Sequence, residues 1–324
     1  MYTQPELKDL IERALVNLSI DGEAEKLTAP IRYFLSIGGK RLRPVITLLS
    51  CNIFSDTVDG AILPAVGVEV FHNFTLVHDD IMDNASLRRN LPTVHTKWGN
   101  NQAILSGDVM AFIANDCFLQ TPPQVLSKVF STFNRAAVQV CIGQQLDMDF
   151  EKIQMISHEE YLRMIELKTA VLLAASAKIG GLIGGAGERD CEHLYEFGRN
   201  LGLAFQIQDD LLDVYGDVNV FGKISGGDIV TNKKTILLVK ALENATGSTL
   251  KKLQEVIALK EFDPAEKIGT VVGIYEQLNI KSNTEILAEE YISAAIENLE
   301  KVSTGKERKN ELLQVAVSLS GRSK

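Results

Sequence analysis

Cysteine, proline, histidine and tryptophan are all scarce in this chain, and each shortage excludes something. Its 324 residues hold four cysteines, eight prolines, five histidines and one tryptophan. The cysteines, at positions 51, 117, 141 and 191, form no CxxC pair, which argues against a structural zinc site or a thioredoxin-like motif. They are expected as reduced, buried thiols of a cytoplasmic protein. Positive charge is also short: 33 Lys and Arg face 42 Asp and Glu, for a net charge of −9, which argues against non-specific nucleic-acid binding. No clear alternating run longer than five residues suggests a strand, and no Pro/Ser-rich linker or break in composition divides the chain. The N-terminus, MYTQPELKDLIERALVNL, lacks the basic and apolar regions of a signal peptide. The most membrane-like stretch, 171–187, contains Lys178 and five glycines. It is short for a span, so a core helix and no stable membrane insertion are expected.

What remains is helical periodicity. The segments YTQPELKDLIERALVNL, AILPAVGVEVFHNFTLVHDDIMD, NQAILSGDVMAFIANDCFL, SHEEYLRMIELKTAVLLAASAKIG, ERDCEHLYEFGRNLGLAFQIQDDLLDVYGD and EILAEEYISAAIENLEKV read as helices. Ser157 followed by Glu160 has the form of a capping box. A single all-α domain over residues 1–324, a helical bundle, is the economical reading. Residues 61–78 and 170–184 are apolar nearly all round and are expected at its centre.

The sharpest feature is TLVHDDIMDNASLRRN, residues 75–90, where Asp79, Asp80 and Asp83 crowd beside apolar neighbours. FQIQDDLLDVYGD repeats the DDxxD spacing with Asp209, Asp210 and Asp213. Residues i and i+4 share a helix face, so Asp79 lies with Asp83 and Asp209 with Asp213, and like charges there repel. One such motif alone reads as a solvated acidic face. Two inside apolar segments point to a cation between them. Oxygen ligands favour a hard ion, and Mg²⁺ suits best because it fills its shell with water and phosphate oxygens. A diphosphate also needs direct cations. GGKRLRP supplies Gly39, Lys40, Arg41 and Arg43; RRNLPTVH supplies Arg88 and Arg89; ELKTA supplies Lys168 and Thr169; FGKISGGDIVTNKKT supplies Lys223, Lys233 and Lys234. Paired glycines allow close backbone approach and arginine offers bidentate donors.

In this combination the chain resembles the trans-isoprenyl diphosphate synthases, or polyprenyl synthetases. The matching motifs run in order from about residue 36 to 236: GGKRLRP, HxxxLxHDDxxD, RRxxPTxH, GQxLD, KTA, FQxxDDxxD, GDxxxxGK and KKT. The resemblance implies an all-α bundle around a central cavity, the isoprenoid synthase type I fold, normally as a homodimer. It implies a Mg²⁺-dependent head-to-tail condensation with three Mg²⁺ per active site. It implies that the allylic diphosphate ionises, isopentenyl diphosphate attacks the cation, and a proton is lost to the released diphosphate.

The implied roles are these. Asp79, Asp83 and Asp209 are Mg²⁺ ligands, supported by Asp80, Asp210 and Asp213. Arg88, Lys168 and Lys223, with Lys233 nearby, hold the allylic diphosphate. Lys40, Arg43, His72 and Arg89, with Gly39, form the isopentenyl diphosphate pocket. Gln144, Thr169 and Gln206 line the reaction centre, and Phe205 packs against isopentenyl carbons. His72 lies two turns before Asp79 on the same stripe; without the resemblance a histidine there reads more simply as a satisfied core residue. Asn90 and Asn232 stand where the family usually has glycine, and asparagine tolerates the positive φ of a turn.

Side chains upstream of the first motif close the cavity floor in this family. Phe74, Thr75 and Phe71 occupy that region, with Phe74 about 7 Å and Phe71 about 12 Å along the helix from Asp79. An aromatic at the fifth position before the motif, a small residue at the fourth and no insertion resemble enzymes that stop at C20. Geranylgeranyl diphosphate is the expected product and C15 farnesyl diphosphate the alternative. A class I terpene cyclase would usually lack the second DDxxD and GGKRLRP, and a silent partner subunit would lose an aspartate motif. Both motifs are intact here.

Overall fold

The computed structural model describes residues 1–20, 24–216 and 226–320. Helices dominate: α1 Gln4–Val16, α2 Glu25–Ser36, α3 Leu42–Asn52, α4 Asp59–Met82, α5 Val94–Trp98, α6 Asn100–Leu119, α7 Leu126–Glu151 and α8 His158–Ile165. A π-turn, Glu166–Ala170, leads into α9 Val171–Gly184, followed by α10 Glu188–Tyr215, α11 Gly227–Thr231, α12 Ile236–Asn244, α13 Gly247–Ala258, α14 Pro264–Gln277, α15 Ile280–Lys301 and α16 Lys306–Ser320. Among the described residues the only strands are Leu87–Arg88 and Leu91–Pro92, a short antiparallel pair. The expected all-α class holds.

Local chemistry sets several boundaries. The Ser157 box forms as its spacing predicts, with Glu160 N–H donating to Ser157 Oγ at 3.2 Å and Ser157 N–H to Glu160 at 2.8 Å. At α14, Asp263 accepts from Glu266 N–H at 2.9 Å and Pro264 takes the first helical position, where its missing N–H costs nothing. Helices α2, α3, α5, α7, α11, α12, α13, α14 and α16 add to the segments read from periodicity.

The chain divides into two compact units, each built from several segments. The first comprises Met1–Arg135, Ala175–Tyr195 and Val302–Leu312. In it α4 packs on α6 and α3, and α1, with Leu7, Ile11 and Leu15 buried at helical spacing, packs on α3 and α4. Gln4 N–H donates to Glu311 at 2.9 Å and Ser303 N–H to Asp190 at 2.8 Å, so its late segments are stitched to early ones. The second comprises Ala136–Ala174, Glu196–Lys301 and Leu313–Lys324, the last of which is described only to residue 320. Its core gathers Tyr161, Ile165, Ile207, Leu211, Leu237, Ile274 and Tyr275.

The two all-apolar stretches are buried as expected, with Ala170–Ala177 almost wholly inaccessible. Helix α4 and the run His158–Gly184 are long and apolar enough to cross a membrane by length and composition, yet 61% and 72% of their apolar windows are buried inside the protein. One expectation needs correction. Cys51, Cys117 and Cys191 are buried, but Cys141 is exposed, because its position on α7 faces away from that helix's packed seam. All four thiols are free.

Candidate active site

In the first unit the GGKRLRP turn joins α2 to α3. Gly38 sits at φ 81° and Arg41 at φ 52°, so the chain reverses through left-handed backbone before α3 begins. Gly39 lies against Arg89; a Cβ there would come within 2.9 Å of Nη1, the far end of the flexible Arg89 side chain, which would have to shift. Lys40 is exposed. Arg43 is half-buried, its Nη1 lies 3.1 Å from His72 Nε2, and its Nε makes no hydrogen bond among the described residues. An arginine nitrogen only donates, so His72 Nε2 must accept and the ring carries its proton on Nδ1. Burial, reinforced by Arg43, Arg88, Arg89 and Arg41, holds His72 well below its usual pKa of 6.5 and keeps it neutral. Burial also brings Arg43 down to about 10, against the pull of Glu69.

The first DDxxD closes α4. Its middle member, Asp80, is buried and accepts from Arg88 Nε at 2.9 Å and Nη2 at 2.8 Å. Burial raises its pKa while Arg88 opposes the rise. Asp79 is half-buried and Asp83 exposed at the helix end. Arg88 and Arg89 ride on the two-stranded hairpin, whose turn residues Arg89 and Asn90 have φ 51° and 63°. Two successive positive φ values match the twist of a tight hairpin. The turn anticipated at Asn90 is there, and Asn232 likewise sits at φ 56°. Thr93 Oγ1 donates to Ala85 O at 2.8 Å and Tyr33 OH to Pro92 O at 2.7 Å, pinning the hairpin.

Of the floor residues, Phe71 is buried, 5.4 Å from the Phe74 ring and 5.2 Å from Phe133, which stacks on Phe118. Phe74 is half-buried with its ring edge on His78, and Thr75 donates its hydroxyl to His72 O at 2.8 Å.

In the second unit the π-turn carries Lys168 and Thr169. Val171 N–H reaches back to Glu166 O, which advances the helix by one residue and re-aims these side chains. Gly143 on α7 makes room: a Cβ there would meet Lys168 N at 2.2 Å. Lys168 Nζ donates to Asp147 at 2.5 Å. Thr169 Oγ1 donates to Gln206 Oε1 at 3.0 Å, and Gln206 Nε2 donates to Asp210 at 3.1 Å. Buried Asp210 also accepts from Tyr161 OH at 2.6 Å and Ile236 N–H at 2.9 Å. Asp209 is exposed and Asp213 half-buried, accepting from Asp228 N–H at 2.9 Å. Lys233 stands 3.8 Å from Asp228. Burial pushes Asp228 up to about 7; Lys233 opposes this, while Asp213, Asp210 and Asp209 add to it. Gln144 and Phe205 are half-buried. Lys223 lies outside the described residues.

The polyprenyl synthetase family model matches residues 24–275. The chain belongs to the polyprenyl synthetase family. It is 42% identical over 221 residues to the geranylgeranyl diphosphate synthase of Methanosarcina mazei, covering 68% of each chain. It is 39% identical over 295 residues to that of Sulfolobus acidocaldarius, covering 90% of this chain and 88% of the other. A crystal structure of a geranylgeranyl pyrophosphate synthase superposes with a TM-score of 0.95 at 41% identity over the full length of both chains. As a polyprenyl synthetase the chain is a prenyltransferase that makes short-chain prenyl diphosphates.

The metal expected of this polyprenyl synthetase fits what the motifs offer. Among the described residues no three His, Cys, Asp or Glu side chains gather into a metal cage. In each motif the middle aspartate holds protein donors, Arg88 in one case and Tyr161, Gln206 and Ile236 N–H in the other. A hard cation that takes one or two carboxylates and completes its shell with water and phosphate suits such a donor set. Sequence reasoning named Arg41 only as one cation of its cluster and passed over Tyr161, Asp147 and Asp228. Asp147 ends the GQQLD motif and Asp228 follows Gly226 and Gly227, so both had a local signal; Tyr161 had none.

Proposed function

We propose that this polyprenyl synthetase condenses isopentenyl diphosphate head to tail with dimethylallyl, geranyl and farnesyl diphosphates and releases C20 geranylgeranyl diphosphate. The observation that carries the reading is Arg43: a buried guanidinium nitrogen with no hydrogen bond among the described residues, beside a histidine kept neutral, is a donor suited to an incoming anion. The two compact units act as one catalytic domain, a view supported by the interleaving of their segments and by a match to a relative over the whole chain.

In this mechanism Lys40, Arg43, His72 and Arg89, with Gly39, hold isopentenyl diphosphate. Arg88, Lys168, Lys223 and Lys233 hold the allylic diphosphate. Mg²⁺ bound by Asp79, Asp83 and Asp209, three ions in all, would supply charge neutralisation at the leaving diphosphate. Asp80, Asp210 and Asp213 orient the outer carboxylates and neighbouring loops through their own hydrogen bonds. Thr169 and Gln206 present fixed dipoles to the allylic cation, their geometry set before reaction by their mutual bond. Gln144 joins them at the reaction centre, and Phe205 packs on the isopentenyl carbons. The substrate alkene is the nucleophile, so no protein nucleophile is required. Phe74, Thr75 and Phe71 stop growth.

The working form is a homodimer in the cytoplasm. Helix α6 leaves Ile104, Leu105, Phe112 and Leu119 exposed, and a second copy would cover them. The test is an elongation assay with Mg²⁺, labelled isopentenyl diphosphate and each allylic diphosphate in turn. Elongation of farnesyl diphosphate halting at C20 is the expected result. Accumulation at C15 would keep the chemistry and move the floor; a C40 product would remove the Phe74 stop; no condensation by folded protein would overturn the function.

A further inference from the structure

Arg41 stands between Lys40 and Arg43 in the turn assigned to the isopentenyl diphosphate pocket, yet its side chain turns into the protein. Only 1% exposed, it donates from Nη1 to Glu69 Oε1 at 2.8 Å, from Nε to Glu12 Oε1 at 2.9 Å and from Nη2 to Leu35 O at 2.9 Å. One guanidinium thereby joins α1, α2 and α4 to the residue that immediately precedes α3. Glu69 is itself buried and fixed, accepting from Asn73 Nδ2 at 3.2 Å. Burial alone would lower the Arg41 pKa, but Glu12 and Glu69 outweigh it and the charge is secure. The backbone of Arg41 lies at φ 52°, a conformation that non-glycine residues keep only where their surroundings impose it.

We propose that Arg41 is a positioning residue for the isopentenyl diphosphate pocket: clamped by Glu12 and Glu69, it locks the 38–43 turn so that Lys40 and Arg43 are set before the diphosphate arrives. This rests on the function proposed above. Without the clamp the left-handed turn loses the side chain that imposes it, and the two cations must be ordered at the moment of binding, which weakens affinity for that substrate alone. Lysine cannot substitute, because one ammonium cannot span three acceptors held by three helices.

The test is steady-state kinetics on wild type, Arg41→Lys and Glu12→Gln, varying isopentenyl diphosphate at saturating farnesyl diphosphate and the reverse, with melting temperature alongside. Arg41→Lys should raise the KM for isopentenyl diphosphate about tenfold and Glu12→Gln about threefold, with kcat and the allylic KM within about twofold of wild type. Glu12 is 39% exposed, so Glu12→Gln carries the test should Arg41→Lys fail to fold. An unchanged KM for isopentenyl diphosphate in the folded variants overturns the proposal. So does a matched rise in both KM values with loss of kcat, which would make Arg41 a stability residue only. A wild type that condenses nothing removes the functional reading and this proposal together; an active wild type with indifferent variants removes this proposal alone.

Discussion

Tyr161 shows how much a single hydroxyl can carry. Its 2.6 Å bond to Asp210 is one of three that fix a buried carboxylate in the second aspartate motif. Tyr161→Phe keeps the ring and the packing while removing one donor. The Mg²⁺ concentration for half-maximal activity should rise by less than the about 10- to 100-fold typical of a partner lost directly behind a ligand, because Asp210 supports the ligands and is not one of them. A metal titration of initial rates checks it, with an unchanged requirement counting against the role. His72 makes a pH prediction. Its folded pKa lies well below 6.5 because it is buried among arginines, so below about pH 6.5 the unfolded chain binds the proton that the folded chain refuses. Stability is then unpenalised above that pH and falls as pH drops, with a limiting slope of about 1.4 kcal/mol per pH unit from this group. Denaturant unfolding of wild type and His72→Gln at pH 7.5 and 5.5 should show the smaller acid loss in the variant. The aspartates of both motifs stood out by their spacing, whereas the roles expected of the neighbouring cations came from the family resemblance. Arg41 was legible as a charge but not as a clamp, because nothing local announces a left-handed arginine or its carboxylates from α1 and α4.

At the scale of elements, α4, α6 and α10 were readable because apolar residues dominate one or all of their faces. Helix α7 was not. Its buried positions, Val129, Phe133, Ala136, Val140, Gly143 and Phe150, keep a regular three-and-four spacing. The seam is narrow, and exposed Val138 and Ile142 blur it. The π-turn escaped notice for another reason: it lies where α7 approaches closely at Gly143, a tertiary contact that local sequence does not reveal. Gly143→Ala would place a Cβ 2.2 Å from Lys168 N. The turn must then shift, at a cost of about 1–3 kcal/mol, and Lys168 and Thr169 move with it. A lowered melting temperature together with a kcat loss exceeding tenfold is expected; a variant with unaltered kcat would detach the turn from the chemistry.

For the whole molecule, the exposed apolar face of α6 sets an assembly prediction. Wild type should sediment at about twice 35.6 kDa, and Phe112→Glu, which puts charge on the most exposed of those apolar residues at 68% accessibility, should shift it toward the monomer mass. Sedimentation equilibrium decides, and a wild-type monomer would remove the dimer. Helical periodicity foretold the all-helical class. It could not foretell that the first unit would be assembled from three distant stretches, since that depends on pairings such as Gln4 with Glu311 that leave no trace in local sequence.

Those pairings also constrain biosynthesis. Glu311 holds the start of α1, and Arg308 donates to the main chain of Asn52 at 3.1 Å, yet both leave the ribosome some 250 to 300 residues after their partners. The earliest-made part of the polypeptide is thus among the last to be completed. During elongation its unfinished apolar surfaces stay open to chaperones, and a nascent chain arrested near residue 300 lacks the strip that seals them.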